Sequence, residues 1–428
     1  MSSPNELPVA TAVARLERRE LSAEELMRAC LWRINDREPH VQAWEVIAEN
    51  AVEEARRTDA QPHRPLLCGL PVGIKDLIDT ADLPTAYGSP IYAGHRPKAD
   101  AACVAALRAA GAVVLGKTVT TEFAAYRGGK TRNPHDPART PGGSSSGSAA
   151  AVADRMVPVA LGSQTAGSVI RPASFCGAVG YKPTFSAYSL RGVHPLAPSL
   201  DTLGFFVRQV ADVPWIDAAL RGARRPAAIP ELQRPPRIGL CRTDQWPRAQ
   251  QSTQSLVEDA GRRLARAGAA LREVDAFAGL AEAQAIIMAA EAAQSFRDLM
   301  QKHEQRISEV FRSLLREGAR CPPERLLAAR KKAEQGRGEL AGVFADVDVL
   351  MTPAAAGEAP AGLESTGDPA FCRAWTLLGC PCISLPVLIG PAGLPVGLQL
   401  VAPPGADDRL LAAAAWVERE LREGVSAG

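Results

Sequence analysis

The chain has 428 residues and a net charge of +2, from 49 basic and 47 acidic side chains. Hydrophobic residues make up 46% and charged residues 22%, the profile of a soluble globular protein large enough to shield a reaction site from water. This near-neutral balance argues against a nucleic-acid partner, and Arg224-Arg225 and Arg330-Lys331-Lys332 read as solvated surface.

The nine cysteines show no C-x-x-C spacing and none of the six histidines forms H-x-x-x-H. No metal site and no cofactor are expected, and the cysteine usage fits a reducing, cytoplasmic setting. The N-terminal stretch has no apolar core followed by a cleavage site, so no signal peptide is expected. Residues 374–406 carry no charge, yet Pro381, Pro386, Pro391, Pro395, Pro403 and Pro404 would break a spanning helix. That stretch reads as buried strands joined by turns, and no membrane association is expected.

In chain order, residues 8–60 read as helical, with Ser22 and Glu25 forming a capping box before LMRACLWRI. PVGIKDLID (71–79) reads as a strand and turn, 101–110 as a helix, and AVVL (112–115) as a short buried strand. Residues 127–148 are rich in Gly, Ser and Pro and could pass for a linker. The small apolar runs SAAAVA and MVPVALG follow at once, which favours an ordered loop buried in a domain. From about 210 to 345 the chain is mostly helical, with a strand at RIGLC (237–241). DVLMTP (348–353), CISLPVLI and VGLQLVA read as three more strands, and a closing helix starts at Asp407. Helices alternating with short apolar strands predict one α/β domain around a large sheet.

Three motif readings compete. G111-A-V-V-L-G116-K117-T118 fits a phosphate loop in letters, but its middle residues read as a strand, not as a loop with free N–H groups. G143-S-S-S-G147 fits a nucleophile elbow, but NPHDPARTPGG before it is no strand, and only His194 and His303 follow as partners. The third reading combines Lys75, the loop Thr140–Ser148 and the segment Gly162–Pro172. Amide hydrolysis needs a nucleophile, a base and donors for the oxyanion. Lys75 could be the base if burial in PVGIK kept it neutral. Local sequence alone favours an ion pair with Asp76 or Asp79. Gly142, Gly143 and Gly147 permit tight turns, or equally a flexible linker. Ser168 opens SVIRPASF, so the N–H groups of Thr165, Ala166, Gly167 and Ser168 could converge on an oxyanion, each worth about 3 kcal/mol. By itself Ser168 is more readily a helix N-cap.

Taken together, LPVGIKDLIDT, NPHDPARTPGGSSSGSAAAVA, GSQTAGSVIRPASFCGAVGYKPTF, LDTLGFF and GLPVGLQLVAP resemble the amidase signature family over nearly the whole chain. The resemblance implies a single α/β domain with a central mixed sheet covered by helices on both faces. Its parts would be N-terminal helices (1–60), a core segment (65–210), a variable helical region (210–345) and closing strands (346–428). It implies a Ser–Ser–Lys amidohydrolase: Lys75 as base, Ser144 as relay in a cis peptide, Ser168 as nucleophile, and an oxyanion hole at Thr165, Ala166, Gly167 and Ser168. Substrate contacts would fall on Arg171, Gln164 and Ser145. Gln164-Thr165-Ala166-Gly167-Ser168 departs from the commoner Asp-Thr-Gly-Gly-Ser and is similar to malonamidase-like hydrolases of small acidic or urea-like amides. There the matching arginine would hold a substrate carboxylate, although a bracing role for Arg171 is favoured. Tyr126, Cys372 and Trp375 could line a pocket, but each is more readily core. A homodimer is expected, a small partner subunit stays open, and the alternatives are a glutaminase subunit of a tRNA-dependent amidotransferase or a non-catalytic binding protein.

Overall fold

The computed structural model describes residues 3–423. The chain opens with α1 (Val9–Glu17) and α2 (Ala23–Val41), then β1 (Trp44–Ile47), α3 (Ala51–Asp59) and β2 (Pro71–Lys75). It continues through α4 (Ala102–Ala109), β3 (Val113–Thr118), α5 (Ser146–Ala153), β4 (Val159–Gln164), α6 (Ile170–Cys176), β5 (Val179–Lys182) and β6 (Thr202–Val207). The middle holds α7 (Val213–Leu220), β7 (Arg237–Cys241), α8 (Gln251–Arg266), β8 (Ala270–Val274), α9 (Leu280–Ser295), α10 (Arg297–His303), α11 (Glu309–Ala319) and α12 (Pro323–Val343). It closes with β9 (Val349–Pro353), α13 (Ala370–Leu377), β10 (Cys382–Ile389), β11 (Pro395–Val401) and α14 (Asp407–Glu423).

The strands form one mixed sheet of eleven, in the order β1-β3-β2-β4-β6-β5-β10-β11-β9-β7-β8. Strands β2, β3 and β4 pair in parallel, while β4–β6, β6–β5, β5–β10 and β10–β11 are antiparallel. Every residue of β2, β3, β4, β5 and β6 is buried, as expected where helices cover both faces of a sheet. Helix α5 packs on β4, β2 and β6, and α6 on β11, β10 and β5. The charge-free stretch 374–406 contributes β10 and β11 to this sheet, and no helix among the described residues is long and apolar enough to cross a membrane.

The capping box at α2 is formed: Glu25 N donates to Ser22 Oγ at 3.1 Å, and Ser22 N to Glu25 Oε2 at 2.8 Å. Two strands lie where only helix was expected. WEVI (β1) is four residues between helices and buries only Trp44, and ALREV (β8) is an exposed edge strand with charges on it, so neither shows an apolar alternation. Residues 113–118 form β3, and the lysine a phosphate loop would need, Lys117, is buried 3.2 Å from Asp76.

The Gly/Ser segment is buried throughout from Thr140 to Ser148. Gly142 has φ +80°, and an added Cβ would lie 2.9 Å from Pro172 Cα. Gly147 is needed for closeness, since its Cβ would stand 2.2 Å from Ala43 O and 2.4 Å from Val119 N. Gly147→Ala should therefore push the start of α5 off the sheet and cost about 1–3 kcal/mol, measured by urea unfolding. A stability equal to wild type would show that the contact is soft.

Candidate active site

Lys75 ends β2, the third strand from one edge of the sheet, with none of its surface exposed. Strand alternation sends the next residue, Asp76, to the other side, where it pairs with Lys117. The ion pair favoured by local sequence is thus absent at Lys75. Its Nζ lies instead 2.7 Å from Ser144 Oγ and 2.9 Å from Ser163 Oγ. Burial pushes its pKa from 10.5 down to about 7, against the charge of Asp201, which pulls the other way. Asp201 is itself buried, and the loss of water raises its carboxyl to about 6. At neutral pH a large fraction of Lys75 has a free lone pair facing a hydroxyl.

Ser144 follows a cis Gly143–Ser144 peptide. Its neighbours are tied from both sides. Arg171 Nη2 donates to Gly143 O at 2.7 Å, and Thr121 N to Ser144 O at 3.2 Å. Ser145 Oγ joins the loop to β4, donating to Ser163 O and accepting from Ser163 N, each at 3.3 Å.

Ser168 lies just past β4, before α6. It does not cap that helix. Gln164 reaches forward, and its Oε1 accepts from Val169 N at 2.9 Å and from Ile170 N at 3.0 Å. The first donors of α6 are satisfied in this way and the hydroxyl of Ser168 stays free. The segment before it is held by its carbonyls: Gln284 Nε2 donates to Thr165 O at 2.7 Å and Thr376 Oγ1 to Ala166 O at 2.9 Å. Thr165 Oγ1 donates to Asp201 Oδ1 at 2.5 Å. The N–H groups of Thr165, Ala166, Gly167 and Ser168 donate to no acceptor among the described residues, so they are available to a ligand oxygen. Gly167 packs against α13, where an added Cβ would stand 3.1 Å from Cys372 Cβ.

Two of the expected substrate contacts, Gln164 and Ser145, serve the protein's own framework. Gln164 and Ser145 are fully buried with their polar atoms bonded to protein, Gln164 also donating to Thr376 Oγ1 at 3.0 Å. Both brace the segments that carry Ser144 and Ser168. Arg171 is buried at 1% exposure and holds Gly143, while its Nε and Nη1 have no protein partner. Of the three aromatic or thiol side chains considered for a pocket, Trp375 is core, edge-on to Phe277 at 5.3 Å, and Cys372 backs Gly167. Tyr126 is half-buried and bonded to Arg373. The structure brings Lys75 and Ser144 into hydrogen-bond contact, but Ser168 Oγ is not bonded to Ser144 Oγ. Sequence reasoning missed Ser163, Asp201, Gln284, Thr376 and Arg373 as parts of this site. Ser163 and Asp201 lay inside motifs whose other letters drew attention, while the last three come from distant helices with no local signal.

The family model for amidases matches residues 25–411, and the neighbourhood of Lys75, Ser144 and Ser168 falls inside it. The chain belongs to the amidase family. It is 34% identical to the A subunit of the glutamyl-tRNA(Gln) amidotransferase of Thermus thermophilus, over 94% of each chain. It is 33% identical to the 2-amino-5-chloromuconic acid deaminase of Comamonas testosteroni, over 98% of this chain and 97% of the other. A solved amidase structure superposes with a TM-score of 0.87 at 30% identity, covering 96% of this chain and 99% of that one. An amidase cleaves an amide C–N bond, and the buried lysine and serines must be read against that reaction.

The depressed lysine has a consequence for stability. The unfolded chain binds a proton at Lys75 up to pH 10.5 and the folded chain only to about 7, so stability rises with pH through that window and its deficit is full below it. Lys75→Met removes the charge. Its stability relative to wild type should be greatest below pH 7 and shrink as the pH rises, in urea unfolding at a series of pH values. A gap independent of pH would mean that Lys75 is not depressed.

Proposed function

We propose that the protein hydrolyses a small linear carboxamide through an acyl-enzyme on Ser168. The observation that carries this reading is the contact of 2.7 Å between a fully buried Lys75 and Ser144 Oγ. Neutral Lys75 takes the proton of Ser144 as Ser144 takes that of Ser168. Ser168 Oγ then attacks the carbonyl carbon, and the oxygen gains negative charge facing the N–H groups of residues 165–168. The proton returns through Ser144 to the leaving nitrogen, the C–N bond breaks and ammonia departs. Water, deprotonated by the same relay, attacks the ester and releases the acid and Ser168. Arg171 serves this chemistry by holding Gly143, and with it Ser144.

The acyl part is proposed to be anionic. Arg171 follows Ser168 by three residues and Arg373 is joined to Thr165 through Gln284, and neither has a carboxylate within ion-pair distance among the described residues. A buried cation without a counter-ion favours an anionic ligand. The similarity to a deaminase of a muconic acid supports this reading.

A second reading, the ammonia-producing component of an amidotransferase, is favoured by the similarity to the Thermus thermophilus protein. It differs in requiring a partner: the isolated chain would release little ammonia from glutamine, and a partner protein would copurify.

The test is ammonia release from malonamate, biuret, glutamine, aliphatic amides and aryl amides by wild type and Ser168→Ala. Release by wild type and none by Ser168→Ala is expected, along with fluorophosphonate labelling of wild type alone. Unchanged release by Ser168→Ala would end the proposal. Lys75→Ala should lower kcat/KM by about a hundredfold or more. Because the base must be neutral, kcat/KM should fall about tenfold per pH unit below about 7 and level off above it. A profile flat from pH 5 to 9 would exclude Lys75 as the base.

A further inference from the structure

Arg373, on α13, has no carboxylate within ion-pair distance among the described residues and lies in the electrostatic reach of Arg171. Its Nη1 donates to Gln284 Oε1 at 2.5 Å and its Nη2 to Tyr126 OH at 3.0 Å, and its guanidinium lies 5.8 Å from the Tyr126 ring centre. The nearby carboxylate, Asp368, is bonded to Arg248 at 2.5 Å. The cation is wired to the nucleophile segment from both ends. Gln284 passes the contact on to Thr165 O, and Tyr126 O accepts from Thr366 Oγ1 at 3.5 Å, which in turn accepts from Arg171 Nη2 at 2.9 Å. Thr165, Gln284, Arg373, Tyr126, Thr366 and Arg171 thus close a ring that begins three residues before Ser168 and returns three residues after it.

Within this ring the two arginines differ in access. Arg171 is 1% exposed and its Nη2 carries both Gly143 O and Thr366 Oγ1. Arg373 is only partly buried and touches neutral acceptors alone. A guanidinium gives its strongest hydrogen bonds to a carboxylate, so neutral acceptors leave most of its affinity unused. We propose that Arg373 is the specificity-determining residue, receiving a carboxylate on the acyl part of the amide, while Arg171 positions Ser144. The substrate class is then amides that carry a carboxylate on the acyl part. This rests on the amidohydrolase reading above and adds to it which cation selects the substrate.

The experiment compares kcat/KM for malonamate and succinamate with that for the uncharged propionamide and butyramide. In Arg373→Gln the preference for the acidic amides should fall about tenfold to a hundredfold, chiefly through KM. Arg373→Lys should recover part of it, because the charge returns without the fork. Arg171→Lys should lower kcat on acidic and neutral amides alike. Equal losses on both substrate types in Arg373→Gln, or loss of the preference only in Arg171→Lys, would overturn the assignment. If wild type hydrolyses none of these amides, the catalytic reading fails separately. Calorimetric titration of malonate and succinate into Ser168→Ala, with and without Arg373→Gln, then decides. Binding weakened by Arg373→Gln upholds the anion site, and binding absent or indifferent to Arg373 overturns it.

Discussion

Burying an amine with hydroxyls in place of a carboxylate fixes much of the rest of this molecule. A lysine beside an aspartate would stay charged, and a charged Lys75 could accept nothing from Ser144. The parallel strands β2 and β3 resolve the conflict between Lys75 and its neighbour Asp76 by sending them to opposite faces. There Asp76 meets Lys117, and Lys75 meets Ser144 and Ser163. Asp201 stands close enough to act on Lys75 electrostatically, yet its own carboxylate accepts from Thr165 Oγ1 and from the N–H groups of Leu196 and Ala197. The acid is therefore committed to shaping the Thr165 turn, and the amine stays unpaired.

The same economy governs the segment that leads to Ser168. Its carbonyls are held by Gln284 and Thr376 from outside the sheet, and the helix after it is capped by Gln164 from within the strand before it. Such ties hold the N–H groups of residues 165–168 in one orientation. Ser168 gains its freedom because the residues around it have taken up the capping and bracing that a serine at that position would otherwise do.

Much of this was legible in the sequence, and the limits have physical causes. Buried central strands such as PVGIK, CISLPVLI and VGLQLVA declare themselves as apolar runs, and the capping box at Ser22 is a local pattern. The edge strand ALREV and the brief WEVI escape because they bury too little to leave a periodic trace. At the candidate site, Lys75, Ser144 and Ser168 were singled out through extended motifs, and the structure brings the first two into contact. Local sequence alone favoured an ion pair for Lys75 and a cap for Ser168, and the fold denies both by strand alternation and by Gln164. Gln284, Thr376 and Arg373 could not be read, because a polar residue on an Ala-rich or aromatic helix carries no mark of what it will face across the fold.

The pairing order of the sheet also bears on how the chain acquires activity. Strand β5 is bracketed by β6 and β10, so Gly180 finds its partner at Ser384, across some two hundred intervening residues. The anchors of Thr165 and Ala166 arrive later still than the serines, on α9 and α13. Such non-local pairing makes assembly slow, since loop closure must precede the contacts that reward it. A nascent chain emerging from the ribosome carries Lys75, Ser144 and Ser168 long before the elements that orient them. The Thr165–Ser168 turn thus takes its final form only when α9 and α13 have docked on it.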